Sequence, residues 1–63
     1  MAYVIFDAET SSLRVELPPE LECVSMALRK DLIEAFWGEP ENLQTALRMD
    51  EFISRWVSET QSR

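Results

Sequence analysis

Two short segments near the start of the chain carry apolar residues at spacings typical of β-strands. Residues 2–6 are continuously apolar and rich in β-branched and aromatic side chains, which favours a strand buried on nearly both faces. In residues 13–17 apolar and polar side chains alternate strictly, which is the period of a half-buried strand. The six residues between the segments are polar, so the pattern predicts an antiparallel hairpin over residues 2–17.

The following segment has apolar residues at every third or fourth position, the spacing of an amphipathic helix. Pro19 suits the first turn of a helix, and Gly38 stands where a left-handed cap residue is expected. We therefore predict a first helix over residues 19–37. Its apolar residues lie on more than one side.

A second helix is predicted over residues 41–60, opened by Pro40 or Asn42. Its apolar face runs from Leu43 to Val57, and Asp50 either lies within the helix or caps a break in it. The predicted fold class is α+β, an antiparallel two-stranded β-hairpin followed by two α-helices. The chain of 63 residues has room for one domain, residues 1–63.

Composition favours a folded binding protein over an enzyme. Hydrophobic residues make up 46% of the chain, as in a folded domain, and a chain this short buries only ~60% of its unfolded surface. There is no His, one Gly and one Cys, so His-based catalysis, a glycine-rich phosphate loop and a cysteine zinc site are excluded. We expect neither cofactor nor metal, and we expect Cys23 to be packed and inert.

The two tryptophans are candidates for the core or for an interface. Large aromatic side chains dominate small cores, which favours buried or edge positions for Trp37 and Trp56. Alternatively, Trp37 lies with Met26 and Ile33 on a partly exposed apolar stripe of the first helix. An exposed aromatic stripe beside charged residues is typical of a protein interface.

Charge is unevenly distributed along the chain, which has 12 acidic and 6 basic residues and a net charge of −6. Residues 1–28 carry five acids against Arg14, and residues 31–41 carry four acids and no base, whereas residues 42–63 are neutral overall. This charge either keeps a small protein in solution or forms an acidic surface that docks on a basic one. It argues against direct binding to nucleic acid, which depends on Lys and Arg.

The size, the acidity and the lack of catalytic groups resemble those of the small acidic inhibitors of bacteriophages and mobile elements, especially anti-CRISPR proteins. The resemblance implies a non-enzymatic inhibitor, a DNA mimic in part, that occupies the basic nucleic-acid-binding surface of another protein such as a CRISPR effector. The residues that we predict to bind the partner are six acids and one aromatic residue. They are Glu20, Glu22, Asp31, Glu34, Trp37, Glu39 and Glu41.

The alternative is an oligomerising regulatory module. Residues 13–21 followed by two helices look like the opening of a ribbon-helix-helix repressor or antitoxin, in which the strand pairs across a homodimer. This resemblance implies that Arg14 and Glu16 are the outward-facing positions of the strand. The sequence has no apolar run near the ~20 residues of a membrane span and no signal-peptide pattern, so we expect a cytoplasmic protein without a membrane partner.

Overall fold

The structure, a computed structural model, describes residues 3–61 and confirms the predicted ββαα class. A two-stranded antiparallel sheet is followed by a short 3-10 helix and two α-helices. The elements are β1 (Val4–Asp7), β2 (Ser12–Val15), the 3-10 helix (Pro19–Val24), α1 (Ser25–Phe36) and α2 (Leu43–Gln61).

The hairpin is shorter than the predicted residues 2–17, of which residue 2 lies outside the described part of the chain. Val4 pairs with Val15 and Phe6 with Leu13, and these four side chains face the helices. The prediction that the first strand is buried on nearly both faces is wrong, because Ile5 is 44% exposed. With helices against only one face of the sheet, every second residue of β1 points to solvent.

The predicted first helix over residues 19–37 is divided into two parts and ends one residue early. The chain first forms the 3-10 helix, and its last residue, Val24, has the non-helical φ −114° and ψ 5° that break the path into α1. The Ser25 hydroxyl donates a hydrogen bond to the Glu22 carbonyl at this junction, at 3.0 Å. Side-chain bonds to nearby backbone carbonyls of this kind compete with a regular helix, which apolar periodicity alone does not reveal.

The second helix, predicted over residues 41–60, begins two residues later, at Leu43, ends at Gln61 and continues unbroken through Asp50. Asn42 opens it, because its Oδ1 accepts a hydrogen bond from the backbone N–H of Thr45 at 2.9 Å. Asp50 does not cap a break. Its Oδ1 instead accepts the backbone N–H of Tyr3 at 2.8 Å, which joins the start of β1 to the middle of α2.

The core lies between the inner face of the hairpin and the facing sides of α1 and α2. Phe36 and Phe52 meet edge to face across the two helices, with ring centroids 5.7 Å apart. Trp56 is half-buried, as predicted, and Leu28 and Ile53 are the largest fully enclosed side chains among residues 3–61. The buried apolar cluster consists of Val4, Leu28, Leu32, Ala46 and Ile53.

Three other expectations about burial are wrong. Cys23 is exposed, because the 3-10 helix turns its side chain away from the core. Leu43 and Leu47 are 59% and 61% exposed. They occupy the first turns of α2, on the side of the helix opposite Thr45, which is the side that packs inward there.

Candidate docking site

Trp37 stands at the corner of a tight turn that ends α1. The Glu39 N–H donates to the Phe36 carbonyl at 3.0 Å, and Trp37 has φ −59° and ψ 126°. Gly38 follows with φ +84°, so the four residues match a type II β-turn with glycine at the position that needs a positive φ. The predicted left-handed glycine is confirmed, and the turn carries Trp37 out of the helix to 83% exposure.

An open groove of about 420 Å³ runs from Arg29 to this turn, between β2, α1 and the start of α2. Its floor is apolar and joins residues that are distant in sequence. Ile33 and Trp37 form part of its wall and are largely exposed, which confirms the predicted apolar stripe at these two positions. The prediction of a buried or edge-of-core position is wrong for Trp37, because the turn carries its side chain away from the helices. The apolar side chains of the groove other than Trp37 are Leu13, Val15, Leu32, Ile33, Phe36 and Met49.

The two ends of the groove carry opposite charge. Arg29 lies at one end, and Glu39 and Glu41 of the connector between the helices lie at the other. Glu39 accepts a hydrogen bond from Arg48, whose guanidinium also lies over the Phe36 ring, 5.6 Å from its centroid. Within residues 3–61, Glu41 has no ion-pair or hydrogen-bond partner, so its carboxylate is available to a ligand.

The other four predicted acids lie outside the groove, two on α1 and two on the 3-10 helix. Asp31 accepts a hydrogen bond from the Trp56 indole N–H at 2.8 Å, so its carboxylate joins α1 to α2. Glu34 is exposed on α1, one residue from Ile33. Glu20 and Glu22 are exposed on the 3-10 helix, at the opposite end of α1 from the turn.

The structure therefore brings three of the seven predicted residues to one place: Trp37, Glu39 and Glu41 line the same groove. The sequence did not indicate the groove itself, because the groove depends on where the fold places β2 relative to α1. The alternation of Leu13 and Val15 predicts only that they face inward, and not that they lie beside Ile33. Met26, at 86% exposure, belongs to the predicted stripe but lies outside the groove.

The available chemistry of the groove is that of binding. Its walls are mainly apolar, and its polar side chains are Thr45 and the charged side chains at the two ends. In the described part of the chain, no cluster of three or more acidic or cysteine side chains could hold a metal ion. None of the helices over residues 3–61 combines the length and the apolar character that a bilayer crossing requires.

Comparisons with known proteins add no family to this description. A scan against protein-family models finds no match, and searches of the curated proteins and of the solved structures find none either.

Proposed function

We propose that this protein is a non-enzymatic inhibitor that docks on the basic, nucleic-acid-binding surface of another protein. The observation that carries the proposal is the shared position of Trp37, Glu39 and Glu41 along one groove. The most specific form of the proposal is an anti-CRISPR protein that blocks access of DNA or RNA to a CRISPR effector in the cytoplasm.

The exposure of Trp37 supports a docking role. Its large apolar surface is in contact with water and contributes little to the stability of the fold. Trp37 is 83% exposed and Ile33 is 59% exposed, and both lie on the same wall. Interfaces are enriched in tryptophan, and a few such anchors carry most of the binding free energy. Burial of Trp37 and Ile33 against a partner supplies the affinity that acidic groups alone do not provide.

The charge supports a basic partner. Glu20, Glu22, Glu34 and Glu41 are exposed and have no ion-pair partner within residues 3–61. Carboxylates of this kind complement Lys and Arg on a nucleic-acid-binding surface, and they raise the rate of association at low salt. Inhibition should therefore weaken as the salt concentration rises.

The number of carboxylates, compared with the phosphates of DNA of the same length, favours only partial imitation of DNA. The molecule is 38 Å long, and B-DNA of that length carries about 22 phosphates at one charge per ~1.7 Å. The chain has 12 carboxylates, offset by 6 cations, so it does not reach that charge density. Apolar contacts in the groove then have to supply a large share of the binding free energy.

The experiment is a test of CRISPR interference followed by a binding assay. The protein is expressed with effectors of each CRISPR type, and survival of a targeted plasmid is measured. We expect survival with one effector, and we expect the purified protein to displace that effector's nucleic acid, less effectively at high salt. Unchanged interference with every effector contradicts the anti-CRISPR form, and inhibition with nucleic acid still bound contradicts occupation of the nucleic-acid path.

A second candidate is the oligomerising, antitoxin-like module, and exposed apolar residues away from the groove favour it. Leu43, Leu47 and Ile5 are each more than 40% exposed. Light scattering after size exclusion separates the candidates, since this module requires a dimer. A monomer at high protein concentration removes its support.

A further inference from the structure

The groove opens along a free sheet edge. Within residues 3–61 the sheet has two strands, and no strand pairs with the side of β2 that faces away from β1. Unpaired strand edges present backbone donors and acceptors that a further strand can use. Which groups β2 presents there follows from its pairing with β1.

The hydrogen bonds of the hairpin fix the direction of each backbone group. The Glu16 N–H donates to the Tyr3 carbonyl at 2.8 Å, and Val4 stands opposite Val15. In an antiparallel ladder hydrogen-bonded pairs alternate with pairs whose backbone groups point outward. Val4 and Val15 therefore form an outward-pointing pair, and Leu13, two residues before Val15, belongs to another.

The free edge thus carries two N–H groups and two carbonyls, from Leu13 and Val15. No hydrogen bond within the described residues uses them. The side chains of the same two residues line the groove. A strand added at this edge would bond to Leu13 and Val15 and place every second side chain against the apolar floor.

The length of α1 that lines the groove matches such a strand. From Arg29 to Phe36, α1 rises about 10 Å at ~1.5 Å per residue. An extended segment covers that length with three to four residues at ~3.3 Å each, which matches the four residues of β2. The carboxylates of Glu39 and Glu41 lie at one end, where a basic side chain of the segment would be accommodated.

We infer that the β2 edge and the groove bind an extended segment of the partner protein, which adds as a third strand. The segment has apolar side chains at alternate positions and a Lys or Arg at the end nearest Glu41. The inference deepens the proposed function and takes from it only that the partner is basic. It names the docking mode, strand addition, and the chemistry of the bound segment.

A second copy of this chain is a poorer occupant than a basic segment. Two antiparallel β2 strands that use all the free groups of Leu13 and Val15 place Arg14 directly opposite its own copy. Like charges directly opposite each other destabilise a strand pair. Each copy also carries a net charge of −6, so the two copies repel each other.

The test uses a synthetic peptide and the full-length protein. The probe is Lys-Val-Thr-Val-Thr-Val-Ser, added up to millimolar concentration while the amide signals are followed by NMR. We expect saturable binding and at least tenfold slower hydrogen exchange at the Leu13 and Val15 amides. The Arg14 amide is the internal control, because it already belongs to the ladder with β1.

Two altered peptides and one protein variant make the test specific. N-methylation of alternate peptide amides should weaken binding at least tenfold, because it removes the bonds to the strand edge. Replacement of the peptide Lys by Glu should weaken it at least threefold, and Glu41→Lys should largely reverse that preference. Glu9→Lys, at the hairpin turn, is the matched control and should leave the preference unchanged.

Absence of binding at millimolar peptide overturns the inference, as does equal binding of the N-methylated peptide. Protection of the Leu13 and Val15 amides by self-association, in the absence of peptide, also overturns it. The inference and the proposed function fail separately. Peptide binding at the edge without inhibition of any CRISPR effector upholds the inference and contradicts the anti-CRISPR form of the proposed function. Inhibition that persists in Val15→Pro, a variant with a blocked edge and an intact β1 ladder, upholds the proposed function and contradicts the inference.

Discussion

Trp37 offers the sharpest separation between a role in binding and a role in folding. It is 83% exposed, so the fold covers only about 17% of a side chain that buries at most ~250 Å². About 40 Å² of covered surface, at ~25 cal/mol per Å², corresponds to about 1 kcal/mol. Trp37→Ala should therefore lower the free energy of unfolding by no more than about 1 kcal/mol.

The effect of the same substitution on binding should be much larger. A central tryptophan anchor is worth about 2–4 kcal/mol, which is a loss of about 30-fold to about 1,000-fold in affinity. Met26→Ala is the matched control, because Met26, on α1, is 86% exposed but lies outside the groove. We expect it to leave both affinity and stability nearly unchanged.

The assays are urea unfolding and titration of the effector that the wild-type protein inhibits. Equal inhibition by Trp37→Ala and wild type would refute the anchor role. A loss of stability of several kcal/mol would refute the reading of the turn, since it would mean that Trp37 packs in the core. Equal losses of affinity in Trp37→Ala and Met26→Ala would show that the groove has no special part in binding.

Three further predictions concern the scaffold and are measured by urea unfolding. Ile53→Ala removes part of a fully buried side chain and should lower the free energy of unfolding by about 2–5 kcal/mol, most of the stability of a domain this size. Ile53→Val should lower it by only about 1 kcal/mol. Similar small losses for both variants would contradict the assigned core. Asp50→Ala should lower the free energy of unfolding by about 1–2 kcal/mol and speed hydrogen exchange at the Tyr3 amide. Asp50→Asn keeps the acceptor oxygen and should cost less. An unchanged exchange rate at Tyr3 in Asp50→Ala would disprove the hydrogen bond between β1 and α2. Gly38→Ala should cost about 1–2 kcal/mol, because a side chain strains the backbone at φ +84°. Backbone strain is the whole cost, since an added Cβ meets no atom within 4 Å. A neutral effect would rule out the type II turn.

The sequence predicted the elements that depend on local pattern. The alternation around Arg14 identified β2, the glycine at position 38 marked the end of α1, and Asn42 marked the start of α2. These features follow from backbone chemistry within a few residues, which is why a single sequence reveals them.

The errors arose at positions where tertiary packing decides which side chains are buried. Leu43 and Leu47 have the spacing of a buried face, but the core faces Thr45 and Ala46 at that end of α2. Cys23 was expected to be packed within the first helix, but the chain there is a 3-10 helix with three residues per turn, and the side chain is exposed. Neither position could be settled without knowledge of what packs against it.

The candidate site was predicted in its residues and not in its shape. The sequence pointed to Trp37, Glu39 and Glu41 from charge and exposed aromatic character, and the structure places them along one groove. It gave no reason to separate them from Asp31, whose carboxylate is bound to Trp56 across α1 and α2. The free edge of β2 depends on strand order, which sequence periodicity does not encode.

The most direct test of the docking surface compares two charge reversals of equal size. One variant changes Glu20, Glu34 and Glu41 to Lys, and the other changes Glu9, Glu16 and Glu51 to Lys, so both raise the net charge from −6 to zero. Inhibition of the responsive effector is measured for both, with circular dichroism as the check on folding. We predict that the first variant loses inhibition and the second keeps most of it; equal inhibition by the two folded variants would contradict a docking surface built from particular carboxylates.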